Sequence, residues 1–492
     1  MRAYSDVGNH RPLGPVLWTT QPIHNPGGSL HDPVHTSSTE DWPCHLQLCG
    51  LSTEFTGPMT TMRLKKVRSR PEYLGTRTRL IKARQGLATG LGGTKVNPHL
   101  RVWLSALMYV EGRLLVKFRV ERDVLAEAVT WVARGLPNHP PVPVLAGVLI
   151  QASDEGTLTL SAFDYEVSAK ITVAAEVAEP GTVLVLGRLL ADISRNLPNL
   201  PIDVVTEGNK VQLTCGSTRF SLLLMPADDY PTLPPVPALS GTIAGDVFTQ
   251  AVAQVSIAAD RGDTLPILTG VRVEIEGDKI TLLATDRYRL AMRELTWSPQ
   301  ATDFSHVALV PARTLSDTSK ALGALGSIEI HLTNGPASDG LIGFEAGQRL
   351  ATTRLLDGEY PKVTSIFPSS VDTESVIETT VLVEAIKRVA LVAERNTPVR
   401  LRFGDGQVAI EAGTGDGAQA SEAVETVLTG PDIEIAFNPQ FLLDGLGAVG
   451  TAYSRLSFTQ SGRPAVLCGQ AELDGDADTS YRYVLMPVRF AS

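Results

Sequence analysis

The stretch DTLPILTGVRVEIEGDKITLLATDRYRLAMREL, residues 263–295, settles the architecture of this chain because it is one of three versions of the same text. In it Val271, Val273 and Ile275 alternate with Arg272, Glu274 and Glu276, the period of a half-buried strand, and the partner strand KITLLATDRYRLAMREL follows a Gly-Asp turn. PVPVLAGVLI (141–150) with TLTLSAFDYEVSAKI (157–171) is a second version, and NTPVRLRFG (396–404) with QVAIEAGTGDGAQASEAVE (407–425) a third. An amphipathic helix precedes each, at 121–135, 245–260 and 380–395. In the first, Val124, Leu125, Ala128, Val129 and Val132 share a face that Gly135 and Pro137 bring to an end.

After each pair of strands comes a further strand running into a second helix: GTVLVLGRLLADISRNLP at 181, HVALVPARTLSDTSKALGAL at 306 and DIEIAFNPQFLLDGLGAV at 432. These align Leu190, Leu315 and Leu442, a period of about 127 residues, and a long period determines architecture. Each unit closes on a related phrase: FSLLLMPADDYP at Phe220, ATTRLLDGEYP at Ala351 and YRYVLMPVRF at Tyr481. Helices followed by antiparallel strands, twice per unit, predict an α+β fold with helices on one face of antiparallel sheets. The Pro- and Ser-rich segments Pro234-Pro235-Val236-Pro237 and Pro368-Ser369-Ser370 mark linkers between units at 113–236, 237–369 and 370–492.

Residues 1–112 differ in kind. They hold six of the nine histidines and no sustained period, so loop or disorder is expected there, or a segment that is not translated if synthesis starts near Met108. The whole chain of 492 residues, 43% hydrophobic and 20% charged, has the composition of a soluble globular protein. Its four cysteines are too few for a disulfide framework, which fits a reducing cytoplasm. The apolar run from Val102 is broken by Glu111, Arg113 and Lys117, so no membrane span is expected. Residues 1–112 carry 13 Lys and Arg against 7 Asp and Glu; the total of 43 basic and 53 acidic residues leaves the remainder strongly acidic. An acidic body is a poor DNA binder by charge alone, since phosphate neutralisation dominates that affinity.

Beyond residue 112 the histidines are His139, His306 and His331 and the cysteines Cys215 and Cys468, each in a different context, so no metal, cofactor or catalytic centre is expected. GLATGLGGTK at Gly86 lacks the order of a phosphate loop, and His31, His35, Cys44, His45 and Cys49 are irregularly spaced for zinc. A hydrolase using Asp286 and a nearby Arg ranks last among the readings.

On the phrases HPPVPVLAGVLI, FDYEVSA, LPILTGVRVEI with ATDRYRLA, TTRLLDGEYP and YVLMPVRF, residues 118–490 resemble the bacterial DNA polymerase III beta-subunit family, the sliding clamps, in an actinobacterial-like version. Residues 1–112 have no counterpart in it. The resemblance implies a head-to-tail homodimer of three-domain chains, a ring of six domains with helices lining the hole. Such a ring encircles duplex DNA without regard to sequence, which removes the charge objection, and needs a separate clamp loader.

DNA-facing positions implied by the resemblance are Arg122, Arg134, His139, Arg188, Arg195, Arg261, Arg313, Lys320, Lys387, Arg388 and Arg395, with His139 standing where the family often has Arg. A peptide-binding groove is implied at Leu268, Thr285, Arg289, Leu290, Pro361, Ile366, Val484, Met486, Pro487, Val488 and Arg489, with the two arginines at its rim. Its ligands would be the DNA polymerase III alpha subunit, the clamp loader, other DNA polymerases and repair proteins. For the seam between protomers the resemblance suggests Phe220 and Leu222 facing Leu391 and Val392. The alternative is a clamp paralogue or non-ring peptide-binding scaffold with altered partner or inhibitor binding; Thr364 and Ser365 fall where relatives often have longer side chains.

Overall fold

The computed structural model describes residues 51–52, 65–66 and 115–489, the last span without 138, 263, 333–339, 369, 395–396 and 414–416. The chain divides into two units, Met1–Val96 and Asn97–Ser492. In the first, Leu51–Ser52 pairs antiparallel with Lys65–Lys66. The expectations for the rest of 1–112, for the histidines and cysteines there and for Arg395 lie outside the described residues.

In the second unit the described strands make four antiparallel sheets, of five, nine, nine and four strands. The two large sheets each run across a boundary between repeats. In one, Arg349–Arg354 of the second repeat pairs with Val167–Ala174 of the first, from Arg349 opposite Ile171 to Thr353 opposite Val167. In the other, Ala477–Leu485 of the third repeat pairs with Arg289–Thr296 of the second, from Arg289 opposite Leu485 to Arg293 opposite Tyr481. The five-stranded sheet ends on Thr218–Leu223 and the four-stranded sheet on Ala420–Glu425. These are the strands equivalent to the two partners in each internal boundary.

Six described helices pack in pairs: α1 (Arg122–Ala133) on α2 (Gly187–Asn196), α3 (Gly245–Ser256) on α4 (Ala312–Leu322), and α5 (Thr379–Val389) on α6 (Pro439–Val449). Each turns its apolar stripe to the sheets; α1 buries Leu125, Ala128, Val129 and Val132 as its periodicity predicts, and Trp131, whose Nε1 donates to the Lys170 carbonyl at 3.1 Å. Helices α3 and α5 end about a turn earlier than the apolar period suggests. Tighter i−3 bonds close the chain at these ends, Ala258 N–H to the Val255 carbonyl at 3.0 Å and, in the 3-10 turn Ala390–Val392 after α5, Ala393 N–H to the Ala390 carbonyl at 3.1 Å.

Candidate functional site: a groove between the second and third repeats

The strand pairing of Arg289–Thr296 with Ala477–Leu485 brings together, on one face, an apolar cluster separate from the main core. Leu268, Leu290 and Val484 are buried in it with Leu283, Met292, Leu309, Tyr360, Val363, Val466 and Cys468, and Ile366 and Phe367 pack on it half-buried. Met486 and Pro487 are half-buried, while Pro361, Val488 and Arg489 are exposed. The C-terminal segment is held along the edge by two backbone bonds, Met486 N–H to Tyr288 O at 2.9 Å and Val488 N–H to Ala436 O at 2.8 Å. A buried apolar floor with exposed apolar residues beside it suits the side chains of a short extended peptide.

Thr285 and Asp286 shape the turn beside the floor. Thr285 Oγ1 donates to the Arg289 carbonyl at 2.6 Å, and Asp286 Oδ1 accepts the Tyr288 and Arg289 N–H groups at 3.0 Å each. This Asx turn carries Arg287 at φ +78°, and the first repeat builds the same turn with Asp164 accepting from Glu166 and Val167 and Tyr165 at φ +76°. Asp286 therefore has a repeated architectural role, which accounts for it without the hydrolase reading.

Arg289 is not at the rim. Only 5% exposed, it donates through Nε to Asp286 Oδ2 at 2.9 Å and through Nη1 to Asp444 Oδ2 at 2.5 Å, and its guanidinium lies 4.4 Å from the Phe441 ring centroid. Burial opposes its charge, but Tyr483, Asp444 and Asp286 more than offset that and hold its pKa above the usual value. Asp444 and Phe441 lie on α6, so this arginine ties the third repeat's helix to the second repeat's turn. Its charge is spent inside the protein. The rim aromatic that sequence reasoning missed is Tyr288, 57% exposed and stacked on Phe441 with centroids 6.3 Å apart; it stands one residue from the arginine in the quoted stretch. Within this cluster, burial pushes the Cys468 thiol up to about 11, so it packs as a small apolar group.

The cations expected to face DNA divide. Arg134, His139, Arg261, Arg313 and Lys320 are exposed. Arg134 and Arg195 line one cavity of about 300 Å³ with Arg349. Arg188 donates to the Leu136 carbonyl at 3.3 Å, and Arg195 and Lys387 are paired within their helices to Asp192 at 2.5 Å and Glu384 at 2.9 Å. Arg122 is half-buried beside Asp123. Arg388 reaches Glu422 on the edge strand Ala420–Glu425 at 2.6 Å, so its fork is turned to that edge.

Of the residues expected at the seam, Phe220 on the edge strand Thr218–Leu223 is 38% exposed, while Leu391 and Val392 lie in the 3-10 turn Ala390–Val392 after α5, Leu391 84% exposed and Val392 half-buried. Leu222 departs from the expectation. It is 6% exposed and belongs to the first repeat's core, because its face of the edge strand is covered by that core; the neighbouring Leu223, on the other face, is 64% exposed.

The chain matches the family models for the DNA polymerase III beta subunit three times in succession: the N-terminal domain over residues 116–234, the central domain over 242–362 and the C-terminal domain over 364–489. The beta sliding clamp of Streptomyces coelicolor is 57% identical over 376 residues, 76% of this chain and all of that protein. The beta sliding clamp homolog GriR of Streptomyces muensis is 47% identical over 375 residues, with the same shares of the two chains. Among solved structures, the sliding clamp of Bacillus subtilis aligns at TM-score 0.71 and 27% identity, covering 76% of this chain and 99% of the other. The clamp of Pseudomonas aeruginosa bound to griselimycin aligns at TM-score 0.71 and 29% identity, covering 76% and 100%. With its three repeats each matched in order, the chain belongs to the DNA polymerase III beta-subunit family, the beta sliding clamps.

Proposed function

We propose that two copies of this chain close head to tail into a ring around duplex DNA, and that the groove between the second and third domains binds the linear peptides by which polymerases, the clamp loader and repair proteins are tethered. The observation that carries the proposal is the unequal fate of equivalent strands. Both internal domain boundaries use one pairing, the last strand of a domain against the fourth strand of the domain before it. One last strand, Thr218–Leu223, and one fourth strand, Ala420–Glu425, remain at the ends of their sheets. Pairing them between protomers repeats the internal junction and leaves no such edge exposed, which is how head-to-tail contacts make closed rings.

Exposed Phe220, Leu223 and Leu391 give this seam its apolar content. Topological enclosure holds the protein on DNA with few phosphate contacts, so the acidic body is no obstacle. Arg134, Arg261, Arg313 and Lys320 are the exposed cations assigned to the bore. The protein acts in the cytoplasm, where replicating bacterial DNA lies, and does no chemistry of its own; loading falls to a separate clamp loader. Among the described residues no helix is long and apolar enough to cross a membrane.

Solution mass tests the seam. The wild-type chain is expected to sediment as a dimer and Leu391→Asp as a folded monomer, since a charge at the seam must be desolvated on closure. A wild-type monomer, or a Leu391→Asp dimer as stable as wild type, would contradict the proposed closure.

A further inference from the structure

Glu329 and His331 lie two residues apart on the strand Ser327–Leu332 and so share a face, while Ile328, Ile330 and Leu332 fill the core on the other. The neighbouring strand Leu341–Ala346 puts Glu345 directly opposite Glu329 and Gly343 opposite His331. The missing side chain at Gly343 makes room for the imidazole: a Cβ there would stand 3.1 Å from His331 Cβ and 3.6 Å from Val236. The ring is 7% exposed, covered by the linker between the first and second domains, and its Nδ1 lies 3.2 Å from the Pro237 carbonyl.

That carbonyl only accepts, so Nδ1 carries the hydrogen. In the neutral ring Nε2 is then the lone-pair nitrogen. It is buried, makes no hydrogen bond, and lies 3.4 Å from Glu345 Oε2 and 3.9 Å from Glu329 Oε2. Two carboxylates directly across a strand pair repel, and a nitrogen lone pair aimed at them adds to the repulsion. Among the described residues no Lys or Arg lies within 4 Å of either carboxylate. A cation between the three groups would turn this conflict into attraction.

We propose that Glu329, His331 and Glu345 form a structural site for a divalent metal ion of the zinc class. The donor atoms all lie within 4.8 Å of one another, and the 3.4 Å separation is close to the edge of a tetrahedron, about 3.3 Å for zinc–nitrogen and zinc–oxygen bonds near 2.0 Å. The Nδ1–H···O=C bond to the linker is the outer-shell contact that metal-bound histidines commonly make. Through it the ion fastens the Pro-rich linker to the second domain's sheet, next to Ala238 and Ser240, whose carbonyl and hydroxyl oxygens accept the Leu332 N–H at 3.2 and 3.0 Å. The expectation of no metal centre arose because Glu345 reaches the other two only through strand pairing.

Calorimetric titration of the metal-free full-length chain with Zn²⁺ alone tests this, run beside His331→Gln and Glu345→Gln. Wild type is expected to bind one equivalent more than either variant, with any binding by the histidines and cysteines of residues 1–112 common to all three. Hydrogen exchange at the Leu332 amide is expected to slow with Zn²⁺ in wild type alone. Glu345 is 38% exposed, so its variant remains informative if His331→Gln misfolds. Equal stoichiometry in wild type and Glu345→Gln would overturn the proposal. So would a Zn²⁺-insensitive chain whose thermal stability depends on Glu345 only at acid pH, the behaviour of a protonated His331 ion pair.

Discussion

Arg289 shows how one residue ties the second domain to the third beside the proposed groove. Its guanidinium is shared by carboxylates from two domains and covered by Phe441, and truncation leaves Asp286 and Asp444 facing each other with no cation between them. Removing one partner of a buried pair costs about 3–5 kcal/mol. Arg289→Ala is therefore expected to lose several kcal/mol from the denaturation transition of the second and third domains; an unchanged midpoint would show that the pair is dispensable. Met486, half-buried at the groove's edge, should behave differently. Met486→Ala is expected to weaken binding of a clamp-binding peptide by roughly five-fold, about 1 kcal/mol of lost apolar contact, with stability nearly unchanged, as read by fluorescence anisotropy.

These two residues also mark what the sequence discloses. Leu268, Leu290 and Val484 were legible as apolar positions, and the structure buries all three in one cluster. Arg289 was misplaced because a charged side chain beside an apolar floor reads as exposed, and its partner Asp444 lies 155 residues away along the chain. Leu222 was misplaced for a related reason. Alternation tells which residues share a face of an edge strand, not which face its own domain already covers.

Among the elements, α6 carries its own boundary signals. Asn438 Oδ1 accepts the Gln440 and Phe441 N–H groups at 2.9 and 3.3 Å, Pro439 opens the first turn, and Gly450 leaves the helix at φ +74°. All three are readable in the sequence. Its packing is not. A Cβ on Gly445 would stand 2.4 Å from the Tyr483 ring, so the helix touches Ala477–Leu485 at a distance only glycine permits. Gly445→Ala is expected to cost about 1–3 kcal/mol as overpacking and to weaken peptide binding as well, because the displaced Tyr483 hydroxyl bonds both Arg289 and the Phe441 carbonyl. Thermal melting and anisotropy on the same sample check both effects; a loss of stability with wild-type binding would separate the helix from the groove.

For the molecule as a whole, the roughly 127-residue period was the informative signal: it foretold three repeats and two internal junctions, but not which strands join them. One of those junctions is expected to be acid-sensitive. Arg293 donates across it to Asp478 at 3.2 Å, and although burial works against ionisation, bonds from Ser480 and Arg293 hold the Asp478 carboxyl below its ordinary 3.8. A carboxyl depressed in the folded state contributes stability that is complete above the unfolded value and is lost as pH falls through the folded one. The contribution of Asp478 should thus be full above about pH 5 and fade below about pH 4. Asp478→Asn should flatten the acid limb of the wild-type stability curve there; coincident curves would remove Asp478 from the effect.

The central claim is topological, that the protein stays on DNA because it surrounds it. The most direct measurement is retention on a nicked circular duplex after loading, compared before and after one cut linearises the circle. Stable retention on the circle and loss through the free ends after cutting is the predicted result. A protein that never stays on the circle, or that remains on the linear product as firmly as on the circle, would contradict the ring.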